Sequence, residues 1–449
     1  MDDMTIGRAA AACGGRLCGV SDADRELGRV VIDSRAIQPG DLFVAYRGER
    51  VDGHDFIAAA LQKGAACCLA ERLPEGVEGP VLLASDVQRA LEEIAEAYRA
   101  TLSLPVIGIT GSVGKTTAKE MVAAVLSQRF RVLKTEGNLN NQIGVPMTVS
   151  RITKAHEAAV VEMGVSGFGE MRVLSRIARP TIGLFTVIGH AHLEFLHDLN
   201  GVLAAKTEML EHMAPDAWIV VNGDDPLLRG FPCTQHKLTV GLTEGNLLRA
   251  VEVRQGTEGL SCTVEGMGRR IALSVPAFGK HMVYAALEGA AVGILLGLTD
   301  EEIQKGVRAF ELVGRRAAVC ELGSITLVDD SYNANPDSVK CGVDSLLSLP
   351  GRHVCILGDM RELGEDSPAM HFDVGRYAAE RGVDAVWSCG DYGADLAAGA
   401  GEKGRSFADA EALIAALPDL VQEGDAILVK ASRGARFERV SESLKELKL

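Results

Sequence analysis

Short apolar runs at residues 30–32, 42–45, 65–70 and 81–84 alternate with Gly- and Asp-rich segments, a pattern that predicts a small α/β unit at the start of the chain. Residues 86–101 place Val87, Leu91, Ile94, Ala95 and Tyr98 at helical spacing behind Asp86, a helix-capping residue type, and read as a connecting helix. From residue 106 the pattern changes. A five-residue buried strand at 106–110 runs into a glycine loop and then a helical stretch at 115–128, the order that opens a doubly wound domain. Strands at 158–162, 182–187, 218–221 and 237–240, interleaved with helices, continue it as a mainly parallel sheet. Near Val313-Gly314-Arg315-Arg316 the alternation restarts, with strands at 326–329, 353–357, 385–388 and 426–429. The expected class is α/β in three domains, 1–85, 86–313 and 314–449, with a hinge at the last boundary.

Length agrees, because 449 residues exceed one typical core and fit about three. A formal charge of −15 argues against a surface for nucleic acid or anionic lipid, so any phosphate site must be local. The ten cysteines contain no CxxC pair and read as small buried hydrophobes in a reducing compartment. The acidic start Met1-Asp2-Asp3-Met4 lacks a signal-peptide layout, and the apolar stretch 290–298 falls short of the roughly 20 residues that span a bilayer. A cytoplasmic chain without membrane insertion is expected.

Gly111-Ser112-Val113-Gly114-Lys115-Thr116-Thr117 follows a strand and opens a helix. There the glycines let successive N–H groups face phosphate oxygens, and the helix N-terminus adds partial positive charge. Lys115 is expected to neutralise β- and γ-phosphates and the Thr116 hydroxyl to ligate Mg²⁺. Glu162, ending the strand 158–162, sits where an acid would hold that ion through oxygen. His190-Ala191-His192-Leu193-Glu194, with His197 nearby, follows another strand and could form a metal or phosphate site or a polar loop; the missing cysteine partners disfavour zinc. Lys206 alone would be an ordinary helix-surface lysine. Three polar clusters, Asp329 to Pro336, Gly358 to Gly364 and Lys430 to Arg433, follow strands of the third unit and mark a second binding face. On the loop alone, motor, switch, kinase and ligase all remain open.

In this order the pieces resemble the Mur ligases of peptidoglycan synthesis over nearly the whole chain. The likeness includes Asp33-Ser34-Arg35, Gly40 to Ala45 and Asp52 to Phe56, then Thr110 to Thr117, Gly137 to Pro146, Glu162-Met163-Gly164 and Ala191 to Glu194. The strings Gly137-Asn138-Leu139-Asn140-Asn141 and Asp330-Ser331-Tyr332-Asn333-Ala334-Asn335 favour the members that add D-alanyl-D-alanine to a UDP-N-acetylmuramoyl-tripeptide over the diaminopimelate- or lysine-adding members and folylpolyglutamate synthase.

The resemblance implies a UDP-sugar-peptide domain, a central ATPase-like domain and a Rossmann-like ligase domain. It implies ATP and two Mg²⁺ ions as cofactors, small-molecule substrates and a monomer. In such enzymes a substrate carboxylate attacks the γ-phosphate of ATP, and an amine displaces phosphate from the acyl phosphate. Residue by residue, it implies that Gly111, Ser112, Val113, Gly114, Lys115, Thr116 and Thr117 bind ATP, with Arg315, Asp330 and Asn333 reaching it from the hinge and third domain. Lys115, Glu162, His192 and Lys206 become the catalytic group. Thr116, Glu162 and His192 become metal ligands, and Lys206 a fourth if carbamylated. Ser34, Arg35, Asn138, Asn141, Lys430, Ser432 and Arg433 become substrate contacts. One position departs: after Gly279-Lys280-His281 the asparagine associated with adenine is replaced by Ala285.

Overall fold

The computed structural model describes residues 1–48, 50–256 and 259–447. Three sheets follow one another along the chain. The first comprises β1 (Arg16–Cys18), β2 (Val30–Val31), β3 (Leu42–Val44), β4 (Cys67–Ala70) and β5 (Val81–Leu83), in the order β1-β5-β4-β3-β2 with only β1 antiparallel. Strands β2 to β5 coincide with the apolar runs. The helix Ile6–Cys13, capped by Thr5, and β1 lie ahead of those runs and add to the predicted unit.

The second sheet holds β6 (Val106–Thr110), β7 (Val132–Lys134), β8 (Ala158–Glu162), β9 (Ile182–Phe185), β10 (Trp218–Asn222), β11 (His236–Gly241), β12 (Leu248–Gly256), β13 (Gly259–Gly266) and β14 (Arg269–Val275). Their order is β14-β13-β12-β11-β10-β9-β6-β8-β7. Pairing is parallel from β7 across to β12, then antiparallel through β13 and β14. The register places Ile109 of β6 opposite both Glu162 of β8 and Leu184 of β9. The loop leaving β6 is therefore flanked by the ends of both neighbours, where open α/β sheets collect ligands.

The third sheet holds β15 (Ala318–Leu322), β16 (Ile325–Asp329), β17 (Arg352–Leu357), β18 (Ala385–Cys389), β19 (Gly404–Phe407) and β20 (Asp425–Lys430), in the order β15-β16-β20-β17-β18-β19. Only β15 is antiparallel. Because β16, β20 and β17 are neighbours, the three polar clusters that follow them share one edge.

The connecting helix is Val87–Arg99, and the Asp86 carboxylate accepts from the Arg89 amide at 2.9 Å. Its apolar stripe, Val87, Leu91, Ile94, Ala95 and Tyr98, is buried in a cluster running from the first domain into the central one. It packs on the helices Ile6–Cys13, Gly144–Ser150 and Glu170–Ala178, and so joins both domains rather than spacing them. Burial of one such Leu or Ile side chain contributes about 1.5–3 kcal/mol, which favours a fixed junction. Among the described residues no helix is long and apolar enough to cross a membrane. All ten cysteines are free thiols; Cys67, Cys68, Cys262, Cys355 and Cys389 are buried, whereas Cys341 is exposed.

Candidate active site

The loop after β6 has the backbone that phosphate binding needs. Gly111 takes φ +150°, and a Cβ there would fall 1.9 Å from Thr186 Oγ1, so no side chain fits. Gly114, at φ +87°, starts the helix Lys115–Leu126 in the left-handed region that glycine adopts without strain. Ser112 fastens the loop sideways: its hydroxyl donates to the Gly189 carbonyl at 3.0 Å and accepts from the Gly189 amide at 2.9 Å. The Val113 carbonyl accepts from Thr186 Oγ1 at 2.5 Å. Thr117 is half-buried on the first helical turn, and the Thr110 hydroxyl behind the loop is buried with no partner among the described residues.

Thr116 and Glu162 meet as the register requires. The Thr116 hydroxyl lies 3.0 and 3.2 Å from the two carboxylate oxygens, and Asn140 Nδ2 donates to Glu162 Oε1 at 2.8 Å. Two buried hard-oxygen donors beside a phosphate loop suit Mg²⁺, which takes few protein ligands and fills its shell with phosphate and water. Among the described residues no three His, Cys, Asp or Glu side chains converge as a metal cage.

Lys115 Nζ donates to the Gly111 carbonyl at 2.7 Å. Burial holds its pKa below the usual lysine value, with Glu162 opposing and the nearby Arg316 guanidinium adding to the depression. Lys206, on the helix Leu199–Thr207, is 1% exposed, so it is no surface lysine. Burial and then the charge of Lys115 push its pKa well below the ordinary value, against the pull of Glu170. Among the described residues no hydrogen bond or ion pair is made by its amine.

His192 stands at φ +58°, and its Nδ1 lies 2.5 Å from Glu362 Oε2 of the third domain. The Glu194 amide donates to the Glu362 carbonyl at 3.2 Å. Next to it, His190 makes two contacts with Asp337 Oδ2: its amide donates at 2.6 Å and its Nδ1 lies at 3.1 Å. The histidine loop thus serves as the seam on which the third domain sits. His192 points across that seam, while Glu162 lies with Thr116 behind the phosphate loop.

On the third domain, Lys430 Nζ lies 2.5 Å from Asp330 Oδ2 and donates to the Asn333 carbonyl at 2.8 Å. Ser432 knits the three clusters together: its hydroxyl accepts from the Arg361 amide at 2.9 Å and its amide donates to the Asp359 carbonyl at 2.9 Å. Arg315 turns into its own domain, to Glu442 Oε1 at 2.6 Å and to the carbonyl of Glu438. Arg316 instead lies 4.0 Å over the ring of Tyr332, with Arg433 on the same ring at 5.5 Å. Ser34 and Arg35 sit on the first domain, where Arg35 pairs with Asp33 at 2.7 Å and both side chains are open to solvent. Asn138 is exposed, whereas Asn141 Oδ1 accepts from the Gly144 amide at 2.9 Å and caps the next helix. Ala285 is 6% exposed, on the helix Met282–Leu295 beside Tyr284, whose hydroxyl donates to Asp224 at 2.9 Å.

Asn140, Arg316, Glu362 and Asp337 were not singled out by spacing. All four lie within strings that the sequence flags or next to them, yet neighbours in such a string differ only in where the backbone aims them.

The chain matches the family models of the Mur ligase catalytic domain over residues 26–106, the Mur ligase middle domain over 109–293 and the Mur ligase glutamate ligase domain over 314–433. It belongs to the Mur ligase family. Among its relatives, the UDP-N-acetylmuramoyl-tripeptide–D-alanyl-D-alanine ligase of Bacillus subtilis is 36% identical over 427 residues, 93% of each chain. The crystal structure of MurF from Acinetobacter baumannii superposes with a TM-score of 0.90 at 30% identity, covering 99% of both chains. MurF ligase from Thermotoga maritima, solved in complex with ADP, gives 0.83 at 30% identity, covering 93% of this chain and 97% of that one.

Proposed function

We propose that this protein is an ATP-dependent ligase that joins D-alanyl-D-alanine to UDP-N-acetylmuramoyl-tripeptide, acting as a monomer in the cytoplasm. The observation that carries the reading is the buried Thr116–Glu162 pair at the phosphate loop of a chain that matches such a ligase over 93% of both lengths. Residues 1–85 then receive the UDP-sugar peptide through Ser34, Arg35 and Asn138, residues 86–313 hold ATP, and residues 314–449 close over it. Arg433 faces the incoming dipeptide, with Lys430 and Ser432 buried behind it as its support.

The chemistry follows from charge and position. A carboxylate acylates amines poorly at neutral pH, whereas its mixed anhydride with phosphate has a good leaving group. Lys115 and the loop amides hold the transferring phosphate, and Arg316 brings a further positive charge across the hinge. Thr116 and Glu162 would hold Mg²⁺, which would offset charge on the phosphate oxygens, and His192 would be the ligand for a second ion once freed from Glu362. Burial lowers the Lys206 pKa and so favours the neutral amine, the form that reacts with CO₂. The product is a carbamate, R–NH–COO⁻, and one released proton, so a cation becomes an oxygen ligand.

Phosphate release tests the function. It is expected with ATP, UDP-N-acetylmuramoyl-tripeptide and D-alanyl-D-alanine together. Equal release with diaminopimelate or lysine on the dipeptide substrate, or with glutamate on a folate, would assign one of the sister activities instead. Hydrolysis needing no carboxylate acceptor would point to a switch ATPase.

A further inference from the structure

Glu162 is backed by charges that the reaction does not use directly. One turn into the helix Lys115–Leu126, Lys119 and Glu120 are buried, 1% and 7% exposed. The Lys119 ammonium lies 3.0 Å from Glu120 Oε1 and 3.8 Å from Glu162 Oε2. The second Glu120 oxygen pairs with Lys134 of β7, whose side chain is half-exposed. Signs alternate from the surface inward: Lys134, Glu120, Lys119, Glu162. A buried charge left unpaired is strongly destabilising, so Lys119 and Glu162 each need a partner when nothing else is bound.

Glu162 Oε2, the oxygen that Lys119 approaches, also faces the Thr116 hydroxyl at 3.0 Å. A dication between Thr116 and Glu162 would meet the Lys119 ammonium across one carboxylate. We propose that Lys119 is a positioning residue that serves as the counter-cation of Glu162 until the metal arrives, and that Glu120 holds Lys119 back so that the metal can take its place. This rests on the assignment of Thr116 and Glu162 as the divalent-cation site. The two neighbours then have opposite effects. Neutralising Glu120 leaves Lys119 with Glu162 as its one buried carboxylate, so an incoming metal must displace a full ion pair. Neutralising Lys119 leaves the metal without a competitor.

The test is Mn²⁺ binding to the full-length protein with saturating ADP, followed by electron paramagnetic resonance. Glu120→Gln is expected to weaken Mn²⁺ binding and Lys119→Met to tighten it, each on the order of tenfold, the scale of one charge interaction at this separation in partly screened surroundings. Lys119→Arg, which keeps the charge, should stay near the native affinity. In EDTA, Lys119→Met should melt below the native protein, and the gap should close when Mn²⁺ and ADP are added, which a packing defect would not do. Tighter binding in Glu120→Gln, weaker binding in Lys119→Met, or values within twofold of native in both overturn the inference. Should Lys119→Met not fold, Glu120→Gln alone decides. Glu162→Gln separates the two levels: unchanged Mn²⁺ binding there removes the metal site and the inference with it, whereas lost binding there with native values in the other two removes the inference alone.

Discussion

The loop at residues 111–117 and the carboxyl edge of the third sheet both gather polar side chains at strand ends, but they are held in different ways. The loop is wired from within one domain. Thr116, Glu162, Asn140 and Lys119 are buried or half-buried and bonded to one another, and neighbouring strands fix their register. The third-domain edge is internally braced by Ser432 and Lys430, yet its placement over the loop depends on contacts across a seam, His190 with Asp337 and His192 with Glu362. On the proposed function the phosphate loop is preassembled, whereas catalysis would wait on docking, the usual division between a rigid binding site and a closing domain.

The largest effects should come from the preassembled half. Lys115→Ala is expected to lower turnover on the order of 10³-fold or more in a phosphate-release assay, the scale for removing one preorganised charge from a phosphoryl-transfer site, with the fold intact by circular dichroism. Retention of even a tenth of native turnover would undo the role given to the loop. Lys206→Ala should be nearly as damaging, and short carboxylates such as formate should restore part of the activity, because they can occupy the position of the carbamate. Loss without rescue would make Lys206 a plain cation.

Seam variants should act more gently and differently. Asp337→Ala removes both contacts of His190, and Glu362→Ala frees His192. Each should lower kcat/KM roughly tenfold, the worth of one or two charge-assisted hydrogen bonds, while ADP affinity in equilibrium dialysis changes less than threefold. If ADP affinity falls in step with kcat/KM, the loop is not preassembled and the contrast between the halves collapses.

The same contrast explains what could be read from the sequence. Strands β6 and β8 are continuous apolar runs, VIGIT and AAVVE, buried at every position, and their predicted bounds are the observed ones. Strands β13 and β14 alternate buried with more exposed residues, so a search for continuous runs passes over them. The phosphate loop was legible because its glycines, lysine and threonine are adjacent in sequence. The seam was not: Glu362 lies 170 positions from His192, and only the docking of two domains joins them. Adjacent residues also hide their roles. Asn140 reaches Glu162 while Asn141 caps a helix, and Arg316 faces the loop side while Arg315 turns to Glu442. A change of one residue reverses the side chain's direction, and composition does not record it.

The smallest effect concerns whether every buried charge in the central domain belongs to the site. Glu288, on the helix Met282–Leu295, is 3% exposed, and among the described residues it makes no hydrogen bond or ion pair. Burial raises its pKa from an ordinary 4.5 to about 8. Between those values the folded protein keeps a proton that the unfolded chain has released, so stability falls as pH rises through the interval and levels off above pH 8. Glu288→Gln, neutral at every pH, should therefore match the native protein near pH 4.5 and exceed it increasingly towards pH 8.5, by up to about 5 kcal/mol in urea unfolding. Its Mn²⁺ affinity and turnover at pH 7 should be native, in contrast to Lys119→Met. A stability difference independent of pH would mean that Glu288 is hydrated or paired, and an altered turnover would extend the functional charge network to the helix Met282–Leu295.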